Sequence, residues 1–208
     1  MKIAIIGTGR VGRTLSAGFA TAGHEVVLGS RDPDDRGDAP APILPAADAV
    51  DGADIVVDAI PGNVAVPNLR ELGRSALDGT ILIDVGNALD ERYGLVYPNA
   101  SLGAALQAEF RHTRVVKTLN TVSAPLMTRP KDLPPTTVFL SGDDAEAKAI
   151  VGGLLGDLGW SAENRIDLGG IDTAHGPELY VFLSMEIMRA VGTPLYGISV
   201  VSGPRPVT

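Results

Sequence analysis

Three glycines that follow the apolar, strand-like run 2–6 constrain the fold of this chain more than any other feature. Gly7, Gly9 and Gly12 form the pattern G-x-G-x-x-G, and the apolar residues of 10–22 have helical spacing. In a strand–turn–helix unit the first glycine permits a tight turn, the second lets a pyrophosphate approach the backbone, and the third lets the helix pack on the strand. The pattern predicts a dinucleotide site at the start of this helix, where free N–H groups face the phosphates.

Strand-like and helix-like segments continue to alternate along the chain. Runs rich in Ile, Val and Leu are typical of strands buried on both faces, and stretches with helical spacing separate them. The further predicted strands are 25–29, 54–60, 80–85, 114–119 and 137–142, and the further predicted helices are 63–77, 101–110, 143–157 and 172–191. This order predicts an α/β fold, a Rossmann-type doubly wound parallel sheet with a small helical C-terminal lobe.

The remaining segments suggest a division into two parts. We predict a nucleotide-binding domain over 1–165 and a C-terminal lobe and tail over 166–208. The stretch 32–45, rich in proline and aspartate, is predicted to be an exposed loop. A short connection with a last strand is expected within 158–170, and a strand-like piece at 196–201 before a frayed tail.

Composition excludes several classes of partner. The formal net charge of −8 argues against nucleic acid, and no basic patch for a membrane surface is present. The chain contains no cysteine, so it has no disulfide and no thiolate metal site or thiol nucleophile. No signal peptide pattern and no run of about 18 apolar residues is found. We therefore expect a soluble, cytoplasmic protein that acts on a small molecule.

The end of the second predicted strand indicates which dinucleotide is bound. NAD-preferring domains carry a carboxylate here for the ribose 2′-hydroxyl, and a carboxylate would repel a 2′-phosphate. This chain has Ser30 and Arg31, and Arg36 follows in the next loop as a second cation. A guanidinium makes paired, charge-assisted contacts with phosphate. The alternative is that the neighbouring Asp32 pairs with Arg31 or binds a ribose, but the pattern favours NADP(H) over NAD(H).

Four segments together resemble the coenzyme F420-dependent NADP oxidoreductase family. They are the glycine fingerprint with GHEVVLGSR (23–31), VVKTLNT (115–121), DLGWSAENRIDLGG (157–170) and LYGISVV (195–201), and the resemblance extends over residues 2–201. It implies hydride exchange between NADP(H) and the deazaflavin coenzyme F420. It further implies a cleft that the C-terminal lobe helps to form, and a homodimer.

The resemblance also assigns residues to the ends of the bound cofactor. These are Thr8, Arg10 and Val11 in the pyrophosphate loop, Ser30 and Arg31 at the 2′-phosphate, Ile60 and Pro61 at the nicotinamide ribose, and Asn87 and Asn120 in the ring-binding cleft. Considered as residues alone, the two asparagines could equally be turn formers.

Several side chains allow two interpretations. Lys117, at the end of the fifth predicted strand, could attract an anionic cofactor or form a surface ion pair. His175 could touch substrate, although packing at the start of the last helix is the simpler interpretation. Asp58 and Asp84 also end strands, but such residues commonly bind loop amides, and we assign them no role. Apolar residues of the last helix, around Phe182, favour core or dimer packing over a substrate pocket.

No motif for a catalytic triad or a metal is present, and we predict neither catalytic acid–base residues nor metal ligands. Hydride transfer between two oriented rings does not require such groups. Two other functions fit the same residues. One is an NADPH-dependent reductase of a flavin or of a small carbonyl or imine, although a carbonyl or imine usually needs a proton donor. The other is a non-catalytic sensor of NADP(H).

Overall fold

A computed structural model describes residues 1–34, 38–73 and 75–203 of the chain. The strands are β1 Lys2–Ile6, β2 Glu25–Ser30, β3 Ile43–Pro45, β4 Ile55–Asp58, β5 Ile81–Asp84, β6 Arg114–Thr118, β7 Val138–Ser141 and β8 Arg165–Asp167. The α-helices are α1 Arg10–Thr21, α2 Ala46–Val50, α3 Gly62–Arg70, α4 Leu102–Glu109, α5 Ala124–Met127, α6 Ala145–Asp157 and α7 His175–Val191.

The strands form one sheet in the order β3-β2-β1-β4-β5-β6-β7-β8. This order, which reverses between β1 and β4, confirms the predicted Rossmann-type α/β fold. The predicted parallel pairing of the strands is wrong at one place, because β6 and β7 are antiparallel. Only α5 and a short 3₁₀ turn connect these two strands, without the long crossover helix that a parallel return requires.

Helices cover both faces of the sheet. Leu15 and Phe19 of α1 pack on one face, together with the apolar side of α6 and Trp160. On the opposite face, α2, α3 and α4 bury residues such as Leu69 and Leu106 against the sheet. Since both faces are buried, the central strands consist of almost continuous apolar residues up to their carboxyl ends.

Four local predictions need correction. The segment 32–45 is not loop throughout, because its last three residues form β3 beside β2. Helix α3 ends at Arg70 instead of 77, and Gly73, with a φ of +96°, lies in the turn that follows it. A 3₁₀ turn at Ile171–Ala174 precedes α7, which therefore starts later than 172. Residues 196–201 form no strand.

The C-terminal tail nevertheless makes specific contacts. Helix α7 ends at Gly192, whose φ of +73° suits a glycine C-cap. The chain then returns to the start of β7, where the Thr137 N–H donates to the Ile198 carbonyl at 2.7 Å. The Val200 N–H donates to Thr137 Oγ1 at 3.0 Å. The division of the chain at residue 165 stays a prediction. No helix in the described part of the chain is long and apolar enough to cross a membrane.

Candidate functional site

The three fingerprint glycines have different surroundings. Gly7 has a φ of +118°, and a β-carbon there would lie 2.6 Å from the Ala59 carbonyl oxygen. A β-carbon on Gly12 would lie 1.9 Å from the Gly7 carbonyl oxygen. One on Gly9 would meet no atom within 4 Å. The first and third glycines are therefore required by the fold itself, whereas the second borders open space in which a phosphate group fits.

The start of α1 provides donors for such a phosphate group. Gly9 is the N-cap and no side chain caps the helix. The first intrahelical bond runs from the Arg13 N–H to the Gly9 carbonyl at 3.0 Å, so the amides of residues 10–12 have no acceptor within the helix. The first turn contains no acidic residue. Arg13 Nε also donates to the Thr8 carbonyl at 2.8 Å, which fixes the turn before the helix. Together with the space at Gly9, this arrangement fits a pyrophosphate.

The residues predicted for the 2′-phosphate lie beside this turn at the end of β2. The Gly7 N–H donates to the Gly29 carbonyl at 3.0 Å, which joins the two strand ends. Ser30 Oγ accepts from the Asp32 N–H at 3.0 Å and donates to the Asp32 carbonyl at 2.9 Å. Arg31 is exposed, and within the described ranges no carboxylate pairs with it. The predicted second cation, Arg36, lies outside the described residues.

The loops after β4, β5 and β6 meet at the predicted nicotinamide end. Asn87 Nδ2 donates to the Asn120 carbonyl at 2.9 Å, and Asn120 Nδ2 donates to Asn87 Oδ1 at 2.9 Å. Gly62, at the start of α3, lies so close to the Asn87 carbonyl that a β-carbon would be 2.6 Å from its oxygen. This contact brings Ile60 and Pro61, which directly precede α3, beside Asn87. The two asparagines lock their own loops together, and both side chains remain half-buried at this edge.

Leu119, between β6 and Asn120, has an unusual backbone conformation. Its φ is +61°, although the residue is not glycine and its side chain is buried. A buried, branched residue in the left-handed region costs free energy and persists only where the surroundings fix it. The backbone that presents Asn120 is therefore held in one defined conformation.

A buried group of charged side chains lies below these loops, and the sequence interpretation missed it. Lys117 is 1% exposed, so the prediction of a surface ion pair as its simpler role is wrong. Its Nζ lies 2.8 Å from Asp84 Oδ2 and 2.8 Å from Glu178 Oε1, and it donates to the Gly86 carbonyl at 2.5 Å. We call Asp84, Lys117 and Glu178 the lysine cluster.

Glu178 connects the lysine cluster to two helices. It lies in the first turn of α7, and its carboxylate accepts from the Leu102 N–H at 2.9 Å and from the Gly103 N–H at 3.3 Å. Both amides belong to the start of α4, where an anion is favoured by the helix dipole. The glutamate thereby fixes the start of α7 against α4 and β6. His175, at the first position of α7, contacts the Ala100 carbonyl through Nδ1, in keeping with packing at the helix start.

A second buried carboxyl group lies next to the lysine cluster. Asp58 is in register with Asp84, which is in turn in register with Lys117. Burial, together with the charge of Asp84, raises the pKa of Asp58 to about 8. Its Oδ1 accepts from the Ile60 N–H at 3.0 Å, whereas Oδ2 is buried without a hydrogen-bond partner. At neutral pH Asp58 is therefore mostly protonated.

The lysine and its carboxylate partner respond to burial in a different way. Burial alone would lower the pKa of Lys117, but the charges of Asp84 and Glu178 outweigh it and raise this pKa. Burial raises the pKa of Asp84, against the opposing effect of Lys117. Lys117 therefore remains charged throughout the physiological range. Within the described parts of the chain, no group of three metal-ligating side chains is present.

The sequence contains an indication of part of the lysine cluster and of its neighbour Asp58. Asp58, Asp84 and Lys117 each stand near the end of a predicted strand, and parallel strands bring such positions to one edge. That signal would have placed the three side chains in one row. Glu178 had no comparable signal, because its approach depends on how α7 packs.

Comparisons with known proteins agree with this geometry. The model of the family described as coenzyme F420-dependent NADP oxidoreductase matches residues 2–88. The F420-dependent NADP reductase of Methanothermobacter thermautotrophicus is 28% identical over 195 residues, which cover 84% of this chain and 83% of that protein. The rat metalloreductase STEAP3 is 31% identical over 185 residues, which cover 85% of this chain but only 36% of that longer protein.

A solved structure from Arthrobacter sp. FB24 extends the similarity to nearly the whole chain. That protein is provisionally named an F420-dependent NADP reductase, and it is 38% identical to this chain. The alignment covers 97% of this chain and 100% of that one, with a TM-score of 0.91. The similarity of fold therefore extends over α7 as well as the glycine turn.

Proposed function

Because the chain belongs to the coenzyme F420-dependent NADP oxidoreductase family and is thus an NADP-dependent oxidoreductase, we propose that it transfers a hydride between NADP(H) and the deazaflavin coenzyme F420. The observation that carries the proposal is the edge of the sheet at which Arg31 after β2, the glycine turn after β1 and the asparagine pair after β5 and β6 follow one another in strand order. Ligands bind at this edge in doubly wound folds. A dinucleotide with a 2′-phosphate needs these features in this order.

At the adenine end, the chain would bind phosphate groups. The free amides at the start of α1 would donate to the pyrophosphate, with Thr8, Arg10 and Val11 around it. The exposed guanidinium of Arg31 would pair with the 2′-phosphate, and Ser30 would hold the turn that presents it. We propose Arg36 as an additional cation for the same phosphate.

At the nicotinamide end, the chain would orient rings. Ile60 and Pro61 would support the nicotinamide ribose, and Asn87 and Asn120 would line the space in which the two rings lie together. When bound, NADP(H) and coenzyme F420 supply the hydride donor and acceptor themselves. The residues of this chain would then contribute closeness and orientation, which reduce the barrier without a catalytic acid or base.

The C-terminal part would complete the site and the assembly. We propose that residues 166–208 form one wall of the cleft, because Glu178 fixes the start of α7 beside the loops of the asparagine pair. We also propose a homodimer. Helix α7 exposes large apolar side chains, which a second copy would cover.

The proposal is tested by mixing the protein with NADPH and coenzyme F420 and following the loss of nicotinamide absorbance. Parallel reactions contain NADH in place of NADPH, or a free flavin in place of coenzyme F420. We expect turnover with NADPH and coenzyme F420 and much slower turnover with NADH. Turnover with the flavin alone would instead indicate a flavin reductase. Tight NADPH binding without turnover of either acceptor would indicate a sensor.

A further inference from the structure

The side chain of Lys117 joins the two loops that carry the asparagine pair. Its ammonium group has three protons and three acceptors, namely Asp84 Oδ2, the Gly86 carbonyl and Glu178 Oε1. The Gly86 carbonyl directly precedes Asn87. Each ammonium proton is thus donated in a hydrogen bond, and one of these bonds holds the backbone of the loop that follows β5.

The backbone of Lys117 leads within three residues to Asn120. The intervening residues allow little adjustment, because Thr118 Oγ1 donates to the Phe139 carbonyl at 2.7 Å. Leu119 has its left-handed conformation at the same place. A movement of Lys117 would therefore be transmitted to Asn87 through Gly86 and to Asn120 through the chain.

We propose that Lys117, held by Asp84 and Glu178, is the positioning residue that sets the distance between the Asn87 and Asn120 loops. This inference rests on the proposed function, since it concerns the end of the site where the rings would lie. Through Glu178 the same ammonium group also holds the start of α7, so one side chain fixes three parts of the cleft. A shift of about 1 Å in such a framework can slow a reaction about 100-fold.

Stability alone does not explain a cluster of this composition. Two buried carboxyl groups, those of Asp84 and Glu178, contact one buried cation, and a third, that of Asp58, is buried beside Asp84. Replacing a buried ion pair by well-packed apolar groups is often neutral or stabilising. Costly buried charges at the ligand edge of a sheet are typical of functional sites.

The first variant for a test is Lys117→Met, which keeps an unbranched side chain one atom shorter but removes the ammonium group. We expect kcat to fall about 10- to 100-fold. The Kd for NADPH should change less than about threefold, because the phosphate contacts lie at other loops. A purely structural role would instead lower the yield and Tm and leave kcat per folded molecule unchanged.

The double variant Asp84→Asn/Lys117→Met distinguishes the effect of unbalanced buried charge from the effect of losing the hydrogen bond to the Gly86 carbonyl. It removes one of the two carboxylates that lose their cation in Lys117→Met, and the other, Glu178, keeps its bonds to the backbone N–H groups at the start of α4. It does not restore the bond to the Gly86 carbonyl. We expect Tm to recover towards that of the wild type while kcat stays low. Recovery of kcat would overturn the proposal. If Lys117→Met alone does not fold, this double variant decides the outcome.

Lys148→Met is the matched control. Lys148 Nζ also bonds a carboxylate and a carbonyl, Asp167 Oδ1 at 2.8 Å and the Gly169 oxygen at 3.0 Å, away from the asparagine pair. We expect wild-type kcat for this variant, and an equal loss in both lysine variants would overturn the proposal.

The side-chain amide NMR signals of Asn87 and Asn120 give a readout independent of turnover. They should shift in Asp84→Asn/Lys117→Met and remain in place in Lys148→Met. If the wild type fails to reduce coenzyme F420, the proposed function fails, and these signals still decide whether Lys117 positions the loops. Unchanged signals would overturn the positioning role.

Discussion

We predict that the preference for a phosphorylated cofactor depends on Arg31, the exposed cation at the end of β2. Replacing it by alanine should weaken NADPH binding by about 1.5 to 3 kcal/mol, the range of a hydrogen bond to a charged group. NADH has no 2′-phosphate, so its binding should hardly change. Calorimetric titration of both cofactors measures the difference.

Arg189→Ala is the control for this prediction, because it removes an exposed arginine from α7 and changes the net charge equally. It should leave the affinity for both cofactors unchanged. Equal losses of NADPH and NADH affinity in Arg31→Ala would show that Arg31 does not bind the 2′-phosphate.

Asp58 gives the stability of the protein a defined dependence on pH. Its carboxyl group stays protonated in the folded protein up to a pKa of about 8, whereas the unfolded chain releases the proton near the ordinary value of 3.8. Between these values the folded state binds more protons, so this group lowers the free energy of unfolding as pH rises. The slope is at most about 1.4 kcal/mol per pH unit.

The Asp58→Asn variant should remove this contribution. Its amide stays neutral at every pH and its oxygen can still accept from the Ile60 N–H. Urea unfolding at pH 5 and pH 8 should show a gain in stability that is larger at pH 8. Asp78→Asn, at an exposed position, serves as control. An equal effect of Asp58→Asn at both pH values would contradict the raised pKa.

The glycine turn could be predicted from the sequence, whereas the lysine cluster as a whole could not. The three glycines could be interpreted correctly because their requirements are local, a positive φ at Gly7 and a close contact at Gly12. Burial of Lys117 could not be predicted in this way, because strand ends indicate only Asp84 as a neighbour and give no sign of the second carboxylate that compensates its charge. Glu178, 61 residues further along the chain, supplies this second carboxylate.

Helix α1 and its preceding turn allow folding and binding to be separated by two substitutions. In Gly12→Ala, alanine raises the helix propensity by about 1 kcal/mol. Its methyl group overlaps the Gly7 carbonyl, however, which costs about 1 to 3 kcal/mol of stability, so we expect a net loss. In Gly9→Ala, the new methyl group meets no protein atom, and the loss of a glycine N-cap costs about 1 kcal/mol or less.

The two variants should therefore fail in different assays. Gly12→Ala should lower the urea midpoint of unfolding, whereas Gly9→Ala should keep most of its stability and lose NADPH affinity. Each variant is the control for the other. Wild-type NADPH affinity in Gly9→Ala would contradict a pyrophosphate at this turn.

Elements defined by local pattern were predicted better than those defined by packing. The bounds of β1 agree with the prediction, and α1 differs by one residue, because an apolar run and a glycine stop define them. The direction of β7 was wrong, since nothing in its own residues distinguishes an antiparallel from a parallel neighbour. The short strand β3 was missed because three residues beside prolines gain their order from pairing with β2.

At the scale of the whole molecule, α7 is fixed at its start and exposed along its length. Glu178 is buried at the N-terminal end, whereas Leu183 is 57% exposed and Val191 54%. By helical spacing Leu179 lies beside both Phe182 and Leu183, and these three exposed side chains form one apolar surface. A single copy does not cover it, and large exposed apolar patches mark interaction surfaces.

This surface leads to the prediction that α7 forms the interface of the proposed homodimer. Replacing Leu183 by glutamate would put a charge in the middle of an apolar contact, so it should convert a dimer into a monomer while the core of each copy stays intact. Leu168→Glu, at an exposed leucine outside α7, is the matched control and should remain dimeric. Sedimentation equilibrium measures the mass of all three proteins, and circular dichroism establishes that each is folded. A monomeric wild type, or a dimeric Leu183→Glu, would contradict an interface on α7.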